Sequence, residues 1–315
     1  MSTFDRDTGR DRYFAERSRE LEAFRGAPLL EVDCPLCGSG EHAHLFDKQG
    51  FSFVRCHACG LVFVNPRLDE TAVLEEYRTA ETNDIWFDVV TSERQQQLDR
   101  AKFAEVLDAL EPYRGRILDV GCSIGLFLHL ASERGWQGVG LEPAPRAREH
   151  ARALYGLDVQ ADPLAEAAFE PESFDAVVLL SVLEHAARPL ALLADCARVL
   201  RPGGALYTIV PNVESLACRV LAAEARTFDG GYHLVYFSAS TLESALDRSG
   251  FEVVRSVTRV GSLGPVLAKV AGRDPYGDEE HPLSAWVARA GDELERDVER
   301  LGLGYKLHCL ATKRS

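Results

Sequence analysis

The feature that most constrains the fold of this 315-residue chain is an alternation of short apolar runs and helical segments that begins at Arg116. The strand-like runs ILDV, GVGL and AVVLL each lead into a segment with helical spacing of apolar residues, and ALYTIV follows the turn RPGG. Because parallel strands are usually joined by a crossover helix, this alternation predicts a parallel sheet with helices on both faces. Two further strand-like runs, FEVVRSV and YKLHCLATK, flank a largely helical insert predicted at about 262–303.

Four of the eight cysteines lie upstream of that region in two close pairs. Two residues separate Cys34 from Cys37 and Cys56 from Cys59, and 18 residues lie between the pairs. This spacing is typical of a zinc site, because two-residue gaps let both thiolates of a pair reach one tetrahedral ion. A closed four-sulfur shell has no open position for a substrate. We therefore predict a structural Zn²⁺ in a small zinc ribbon.

Other interpretations of the cysteines explain less. Four reduced core thiols would not need paired spacing, and redox dithiols usually occur as a single pair beside a βαβ unit. A nearby histidine could replace one sulfur, but four cysteines already close the site; the candidates are His42, His44 and His57. The four remaining cysteines are scattered, and we predict that they are buried thiols: Cys122, Cys196, Cys218 and Cys309.

These features divide the chain into four parts. We predict an N-terminal lead-in at 1–31, the zinc ribbon at 32–65, a helical linker or cover at 66–112, and a catalytic domain at 113–315. The total length fits one large domain and one small domain. The linker is predicted to be helical because its apolar residues recur at helical spacing.

Composition bears on location and partners. The longest apolar runs are far shorter than the roughly 18 residues that a membrane span needs, so no membrane association is predicted. The charged N-terminus lacks the apolar core of a secretory signal, which favours a cytoplasmic protein. The formal net charge of −14 disfavours nucleic acid as a partner, because Lys and Arg supply much of the affinity for phosphates.

A glycine-containing loop, ILDVGCSIG, joins the first predicted strand of the domain to its helix. Gly121 and Gly125 allow the backbone to approach a ligand closely, at a helix N-terminus with free N–H groups. Dinucleotide-binding enzymes have a related loop, so the loop alone is a weak signal. Glu142 ends the second strand, 21 residues after Gly121, where a carboxylate can accept both hydroxyls of a ribose. Asp162 follows the short strand VQAD, where it could meet an adenine amino group.

Four motifs in order, LDVGCSIG, GLEP, FDAVVLLSVLEH and LRPGGALYTIVPN, resemble those of class I S-adenosylmethionine-dependent methyltransferases over about residues 112–258. The leading CPLCG…CHACGLVFVNPR resembles the zinc ribbon that precedes a bacterial subgroup of these enzymes. The resemblance implies an α/β fold with a Rossmann-like seven-stranded sheet, whose last strand is antiparallel and inserted beside FEVVRSV. It also implies S-adenosylmethionine as the cofactor and a small-molecule methyl acceptor with an O, N or C centre, such as a sugar or a secondary metabolite.

The resemblance further implies roles for individual residues. Glu142 would bind the ribose, Pro143 would lie against the adenine, and Asp162 would face the adenine amino group. Ser181 would lie near the methionine end of the cofactor and the acceptor. The loop around the methionine part would consist of Asp119, Gly121, Cys122, Ser123 and Gly125.

Ser123 departs from the family pattern, which has glycine in the middle of the loop. A serine fits there if its φ is negative, but it would crowd the methionine if its φ were positive. This departure leaves open a protein that binds S-adenosylmethionine without transferring methyl. The zinc ribbon leaves open an RNA methyltransferase that uses it to grip nucleic acid.

Two histidines are candidates for a base that removes a proton from the acceptor. His185 follows the fourth strand, at the carboxyl edge where ligands bind in open α/β sheets. His233 lies in GGYHLVY, within a segment at 212–238 that is predicted to form part of the acceptor pocket. Structural roles are open for both, because His185 could hold its loop by a hydrogen bond and His233 could pack or cap. Tyr232 and Tyr236 could orient a substrate, but such aromatic residues more often belong to the core.

Overall fold

The computed structural model of the protein describes residues 8–23, 28–69, 71–73, 75, 81–270, 291 and 293–314. Parts of the predicted helical linker and of the predicted insert therefore lie outside the described residues. The helices are α1 (Thr8–Ala23), α2 (Glu81–Thr91), α3 (Glu93–Leu110), α4 (Leu126–Glu133), α5 (Pro145–Tyr155), α6 (Pro189–Val199), α7 (Leu216–Leu221), α8 (Ala239–Arg248) and α9 (Gly264–Val270). The strands are β1 (His42–Lys48), β2 (Phe51–Cys56), β3 (Val62–Val64), β4 (Arg116–Val120), β5 (Gln137–Leu141), β6 (Asp158–Gln160), β7 (Phe174–Leu180), β8 (Leu200–Pro211), β9 (Val235–Tyr236), β10 (Phe251–Arg259) and β11 (Lys306–Lys313).

The main sheet has seven strands in the order β10-β11-β8-β7-β4-β5-β6. Strands β4 to β8 are parallel, and β11 pairs in the antiparallel direction with both β8 and β10. The predicted seven-stranded α/β fold is confirmed, including a last strand that is antiparallel and inserted beside FEVVRSV.

Successive residues of the central strands face opposite sides of this sheet, as the two-residue period of a strand requires. Leu118 and Val177 lie in one apolar cluster, with residues of α6 and α8. Their neighbours Ile117 and Ala176 lie in a second cluster, with residues of α3 and α4. Both faces of the sheet are therefore covered by helices, which explains why β4 and β7 read as almost continuous apolar runs.

Strand β8 begins earlier than the sequence predicts. RPGG was expected to form a turn before the strand, but β8 starts at Leu200 and passes through it. Leu200 pairs with Phe174, and the register shifts before Ala205 pairs with Ala176. Gly203 lies within this irregular stretch at φ +74°, a value that glycine adopts without steric cost.

A second, four-stranded sheet has the order β1-β2-β3-β9 and contains the segment between the two cysteine pairs. Its last strand comes from far along the chain, since β9 follows β8 of the main sheet. Val62 pairs with Tyr236 and Phe63 pairs with Val235. Phe63 and Val235 belong to the same buried cluster as one face of the main sheet. The cysteine-bearing unit is thus joined to the main domain both by backbone hydrogen bonds and by a shared core.

Helices α2 and α3 lie in the region predicted to be helical. The hydroxyl of Ser92 caps α3 by accepting the N–H of Gln95 at 3.4 Å. Helix α9 and a helical stretch at 293–300 lie at the two ends of the predicted insert. Among the residues that the structure describes, no helix combines the length and the apolar character that crossing a membrane requires.

Candidate functional site

The glycine-containing loop connects the carboxyl end of β4 to α4. Gly121 and Gly125 have φ values of +76° and +80°. A side chain at Gly125 would clash, because an added Cβ would lie 2.8 Å from the Cβ of Ala151 on α5. At Gly121 an added Cβ would lie 2.7 Å from Cγ2 of Val182, in the turn after β7. The two glycines therefore allow close contact between this loop and the elements beside it.

Ser123 has a positive φ, the conformation in which a serine is expected to crowd the methionine part of the cofactor. Its φ is +48°, in the left-handed region that costs an L-residue roughly 1–2 kcal/mol. Its backbone N–H donates to Oε2 of Glu142 at 2.8 Å. A hydrogen bond to a charged acceptor helps to stabilise this backbone conformation, and it ties the loop after β4 to the end of β5.

Glu142 is buried at the carboxyl end of β5, with 8% of its surface exposed. Besides the bond from Ser123, its Oε1 accepts the N–H of Ala144 at 2.8 Å. Burial raises the pKa of the Glu142 carboxyl, and the two backbone N–H groups partly oppose that effect. Each carboxylate oxygen has two acceptor sites, so Glu142 retains the capacity to accept two hydroxyl groups.

Asp119 lies at the end of β4 and is only 2% exposed. Its Oδ1 accepts no hydrogen bond from any described residue. Burial raises the pKa of this carboxyl to about 8; the nearby Glu142 adds to the effect and Lys102 opposes it. A buried carboxylate oxygen that accepts no hydrogen bond is costly, so this position fits a ligand that brings a positively charged group.

The other predicted cofactor residues lie around the same edge with different degrees of exposure. Cys122 is buried in the core beside Gly140, which leaves its backbone as the part that could contact a ligand. Pro143 is half-buried, and Asp162 is exposed beyond the end of β6. Ser181, at φ +62° just after β7, accepts a hydrogen bond on Oγ from Nζ of Lys306 at 3.1 Å.

The two candidate histidines are neighbours. Their ring centroids lie 4.7 Å apart, although His185 follows β7 and His233 precedes β9. Nδ1 of His185 donates to the carbonyl oxygen of Tyr232 at 3.0 Å, and Nδ1 of His233 donates to that of Thr227 at 2.8 Å. Burial is the main reason that the pKa values are lowered, to about 3 for His185 and about 4 for His233. Both rings are therefore neutral near pH 7.

Sequence reasoning missed Glu184 and Lys306, which lie beside these histidines. Glu184 is 1% exposed, and neither of its carboxylate oxygens accepts a hydrogen bond from a described residue. Nζ of Lys306 lies 3.7 Å from Oε1 of Glu184. The motif SVLEH contains Glu184 next to His185, which was a usable signal. The resemblance implied the position of the strand YKLHCLATK, but nothing in the sequence indicated that the side chain of Lys306 reaches the site.

Tyr232, before β9, and Tyr236, within it, are both buried. Tyr236 donates from Oη to the carbonyl oxygen of His233 at 2.8 Å. The guanidinium of Arg17, on α1, lies over the ring of Tyr232. Nε of Arg17 also donates to Oδ2 of Asp229 at 3.0 Å, so α1 packs directly on the segment that carries His233.

The four paired cysteines come together in the structure. The Sγ atoms of Cys34 and Cys59 are 3.5 Å apart, as are those of Cys37 and Cys56, and all four sulfurs lie within 4.8 Å of one another. Such separations fit a tetrahedral ion with Zn–S distances of about 2.3 Å. No cysteine is in a disulfide, and the four scattered cysteines are buried as predicted.

The histidines near the cysteines make other contacts. His42 bonds to the carbonyl oxygen of Gly40 at 3.0 Å, and His44 pairs with Asp47 at 3.0 Å. Within the described part of the chain, the ligand group formed around these sulfurs consists of the four cysteines. The geometry therefore offers no support for a histidine in place of a sulfur.

Curated relatives of this chain include bacterial proteins named ubiquinone biosynthesis O-methyltransferase. The protein from Cereibacter sphaeroides (strain ATCC 17025) is 36% identical over 132 residues, which are 39% of this chain and 53% of that protein. The protein from Xanthomonas campestris pv. campestris (strain B100) is 38% identical over 129 residues, which are 38% of this chain and 54% of that protein. The chain thus spans about half the length of the curated relatives it matches.

Solved structures similar to this chain include a SAM-dependent methyltransferase from Archaeoglobus fulgidus, which is 21% identical with a TM-score of 0.49 over 69% of this chain and 94% of that one. A family model described as a methyltransferase domain matches residues 90–256, more than half of the 315 residues. The matched stretch contains β4 to β8, the glycine-containing loop, and both candidate histidines. The resemblance of the four motifs to S-adenosylmethionine-dependent methyltransferases is confirmed, and the chain belongs to the methyltransferase-domain family.

Proposed function

We propose that this protein transfers the methyl group of S-adenosylmethionine to an oxygen atom of a small-molecule acceptor. The observation that carries the proposal is the close approach of the turn after β7 to the cofactor-type loop after β4. Val182 packs so closely on Gly121 that an added Cβ would lie 2.7 Å from its Cγ2. The turn that bears Glu184 and His185 is therefore adjacent to the loop, as methyl transfer between two bound molecules requires.

The residues at the carboxyl edge fit the cofactor. In this proposal Asp119 pairs with the ammonium of the methionine part, and Glu142 accepts the ribose hydroxyls. The remaining contacts are assigned to Gly121, Cys122, Ser123, Gly125, Pro143, Asp162 and Ser181. When bound, S-adenosylmethionine supplies a methyl carbon that an acceptor oxygen can attack, with S-adenosylhomocysteine as the leaving group and one proton of the acceptor to be removed.

The acceptor side is assigned to His233 and His185. Nδ1 of each ring donates to a backbone carbonyl, which orients the ring so that Nε2 is the nitrogen that can meet an acceptor. An imidazole with a pKa of about 4 is a weak base, so proton removal favours an acidic hydroxyl such as a phenol. The names of the curated relatives, which are O-methyltransferases, support oxygen as the acceptor atom.

The proposal also covers the metal of the ribbon, the cellular location and the class of acceptor. Cys34, Cys37, Cys56 and Cys59 are assigned to one structural Zn²⁺, on the basis of their spacing and their sulfur separations. A cytoplasmic location remains a prediction of the composition. The net charge of −14 favours a small acceptor over RNA, although the positive-φ Ser123 keeps a non-methylating protein as the second candidate.

Production of S-adenosylhomocysteine tests the proposal. The purified protein is incubated with S-adenosylmethionine and a phenol, a catechol, a sugar or RNA, and product is measured for each acceptor. We expect acceptor-dependent product, which at subsaturating S-adenosylmethionine is reduced in Glu142→Ala but retained in the matched variant Glu149→Ala, whose side chain is exposed on α5. Cofactor binding without product from any acceptor would instead favour the second candidate. Product from RNA alone would favour the RNA methyltransferase.

A further inference from the structure

The site contains a group of side chains whose ligand atoms converge on one point. Glu184, His185 and His233 each contribute one such atom, and the three atoms lie within 4.8 Å of one another. Two imidazoles and a carboxylate form a ligand set suited to first-row transition-metal cations of intermediate softness. Three protein ligands leave further coordination positions of such an ion open. The group is separate from the four cysteines assigned to Zn²⁺.

Both imidazoles are held in the orientation typical of metal ligands. Nδ1 of His185 donates to the carbonyl oxygen of Tyr232, and Nδ1 of His233 donates to that of Thr227. Histidines that bind metals usually donate their second ring nitrogen in this way, which selects the tautomer with its lone pair on the other nitrogen. In both rings the coordinating atom would therefore be Nε2.

The carboxylate of Glu184 supports a cation at this site separately from the orientation of the histidines. Glu184 is 1% exposed, and its carboxylate accepts no hydrogen bond from any described residue. The nearest cation is Lys306, whose Nζ stands 3.7 Å from Oε1 and donates instead to Oγ of Ser181 at 3.1 Å. This ion pair leaves both carboxylate oxygens without a hydrogen bond, and a bound cation would offset more of the several kcal/mol that removing a carboxylate from water costs.

The backbone fixes the relative positions of the three ligands. The N–H of Leu234 donates to the carbonyl oxygen of Glu184 at 2.9 Å, which ties the residue after His233 to the turn that bears the other two ligands. Because ligands on rigidly connected elements need little rearrangement to bind an ion, the site is already organised for coordination.

We propose that Glu184, His185 and His233 bind a divalent cation of the Mn²⁺, Fe²⁺, Co²⁺ or Zn²⁺ class. Its role in catalysis rests on the proposed methyl transfer. An acceptor hydroxyl bound to the cation loses its proton to water, and the oxygen then attacks the methyl carbon while the C–S bonding pair passes to sulfur. In this scheme both histidines are ligands rather than bases.

Mn²⁺ binding tests the site without acceptor or turnover, so a negative result is distinct from failure of methyl transfer. The ribbon is first loaded with one Zn²⁺ per chain, and Mn²⁺ is then titrated while its free form is followed by electron paramagnetic resonance. We expect one Mn²⁺ per chain. Glu184→Gln and His233→Gln should each weaken binding by more than about 10-fold, whereas His129→Gln, on α4, should not.

The variant Lys306→Met tests whether the partner of Glu184 is a metal cation or the ammonium group of Lys306. We expect tighter Mn²⁺ binding in this variant, because a positive charge near the site is removed. Mn²⁺ binding only in Lys306→Met would show that the ammonium is the true partner and would overturn the proposal. So would wild-type protein that binds no Mn²⁺ at millimolar concentration. Paramagnetic broadening of the His185 and His233 ring protons checks the assignment in the unsubstituted protein, in case a variant does not fold.

Discussion

The N–H of Leu234 donates to the carbonyl oxygen of Glu184, while the carbonyl oxygen of Leu234 accepts the N–H of Val64 from β3 at 3.0 Å. One residue therefore connects the sheet beside the cysteines to the turn beside the candidate acceptor site. His233 precedes this residue directly. We therefore expect the order of the candidate acceptor site to depend on the four-stranded sheet beside the cysteines.

Removal of zinc from the ribbon should loosen this connection. In zinc-free protein, or in Cys56→Ser, we expect amide exchange at Leu234 to rise by about 10-fold or more, equivalent to the loss of one hydrogen bond. Exchange is measured by NMR, with the amide of Leu118 in the central strand β4 as the internal control. Unchanged protection of Leu234 after zinc loss would mean that β9 holds its place without the metal.

Replacement of Glu142 should weaken cofactor binding. Glu142→Ala removes a charged acceptor of the ribose hydroxyls and also the partner of the Ser123 N–H. We expect a loss of about 1.5–3 kcal/mol in binding free energy, as calorimetry would measure. Glu149→Ala serves as the control for a lost negative charge on α5. An unchanged dissociation constant in Glu142→Ala would show that the ribose lies elsewhere.

Cofactor affinity should rise with pH because of Asp119. Its pKa of about 8 means that the free protein holds a proton there at neutral pH. A positively charged ligand favours the ionised carboxylate, so binding releases the proton, and affinity rises by up to about tenfold per pH unit until the pKa is passed. Calorimetry in buffers of different ionisation enthalpy would count the proton. Asp119→Asn should abolish both its release and the pH dependence; proton release that persists in Asp119→Asn would assign it to another group.

Ser123→Gly should stabilise the protein. A left-handed serine costs roughly 1–2 kcal/mol, and the greater chain entropy of an unfolded glycine offsets about 0.4–1 kcal/mol of the gain. We therefore expect the free energy of unfolding in urea to rise by about 0–1.6 kcal/mol. Ser132→Gly, within α4, is the matched control and should lower it by about 0.5–1 kcal/mol. A fall in both variants would indicate that the Ser123 side chain makes a stabilising contact.

His233→Asn should lower turnover without weakening the binding of the cofactor. We expect turnover to fall by about 10²–10⁴-fold, whether the imidazole accepts a proton or holds the cation, while cofactor affinity stays nearly unchanged. Turnover is measured as S-adenosylhomocysteine per folded molecule, with His129→Asn as the control. A variant that loses stability but keeps its turnover per folded molecule would assign His233 a packing role.

Much of the fold could be predicted from the sequence because the relevant patterns are local. The alternation after Arg116 predicted the parallel sheet, since the period of the apolar residues reports which faces are buried. The motif order predicted the family. The spacing of Cys34, Cys37, Cys56 and Cys59 predicted that their four sulfurs meet, because each pair needs only a tight turn. In each case the deciding interactions lie within a few residues or follow from one repeated period.

Only the tertiary structure decided which distant residues meet. Glu184 and His233 converge through the Leu234 bond, and Lys306 arrives through the antiparallel pairing of β11, neither of which has a local signature. The sign of φ at Ser123 was also open in the sequence, because it accompanies the hydrogen bond to Glu142 from a neighbouring strand. Side-chain periodicity determines what is buried, but long-range strand pairing determines which polar groups are buried together.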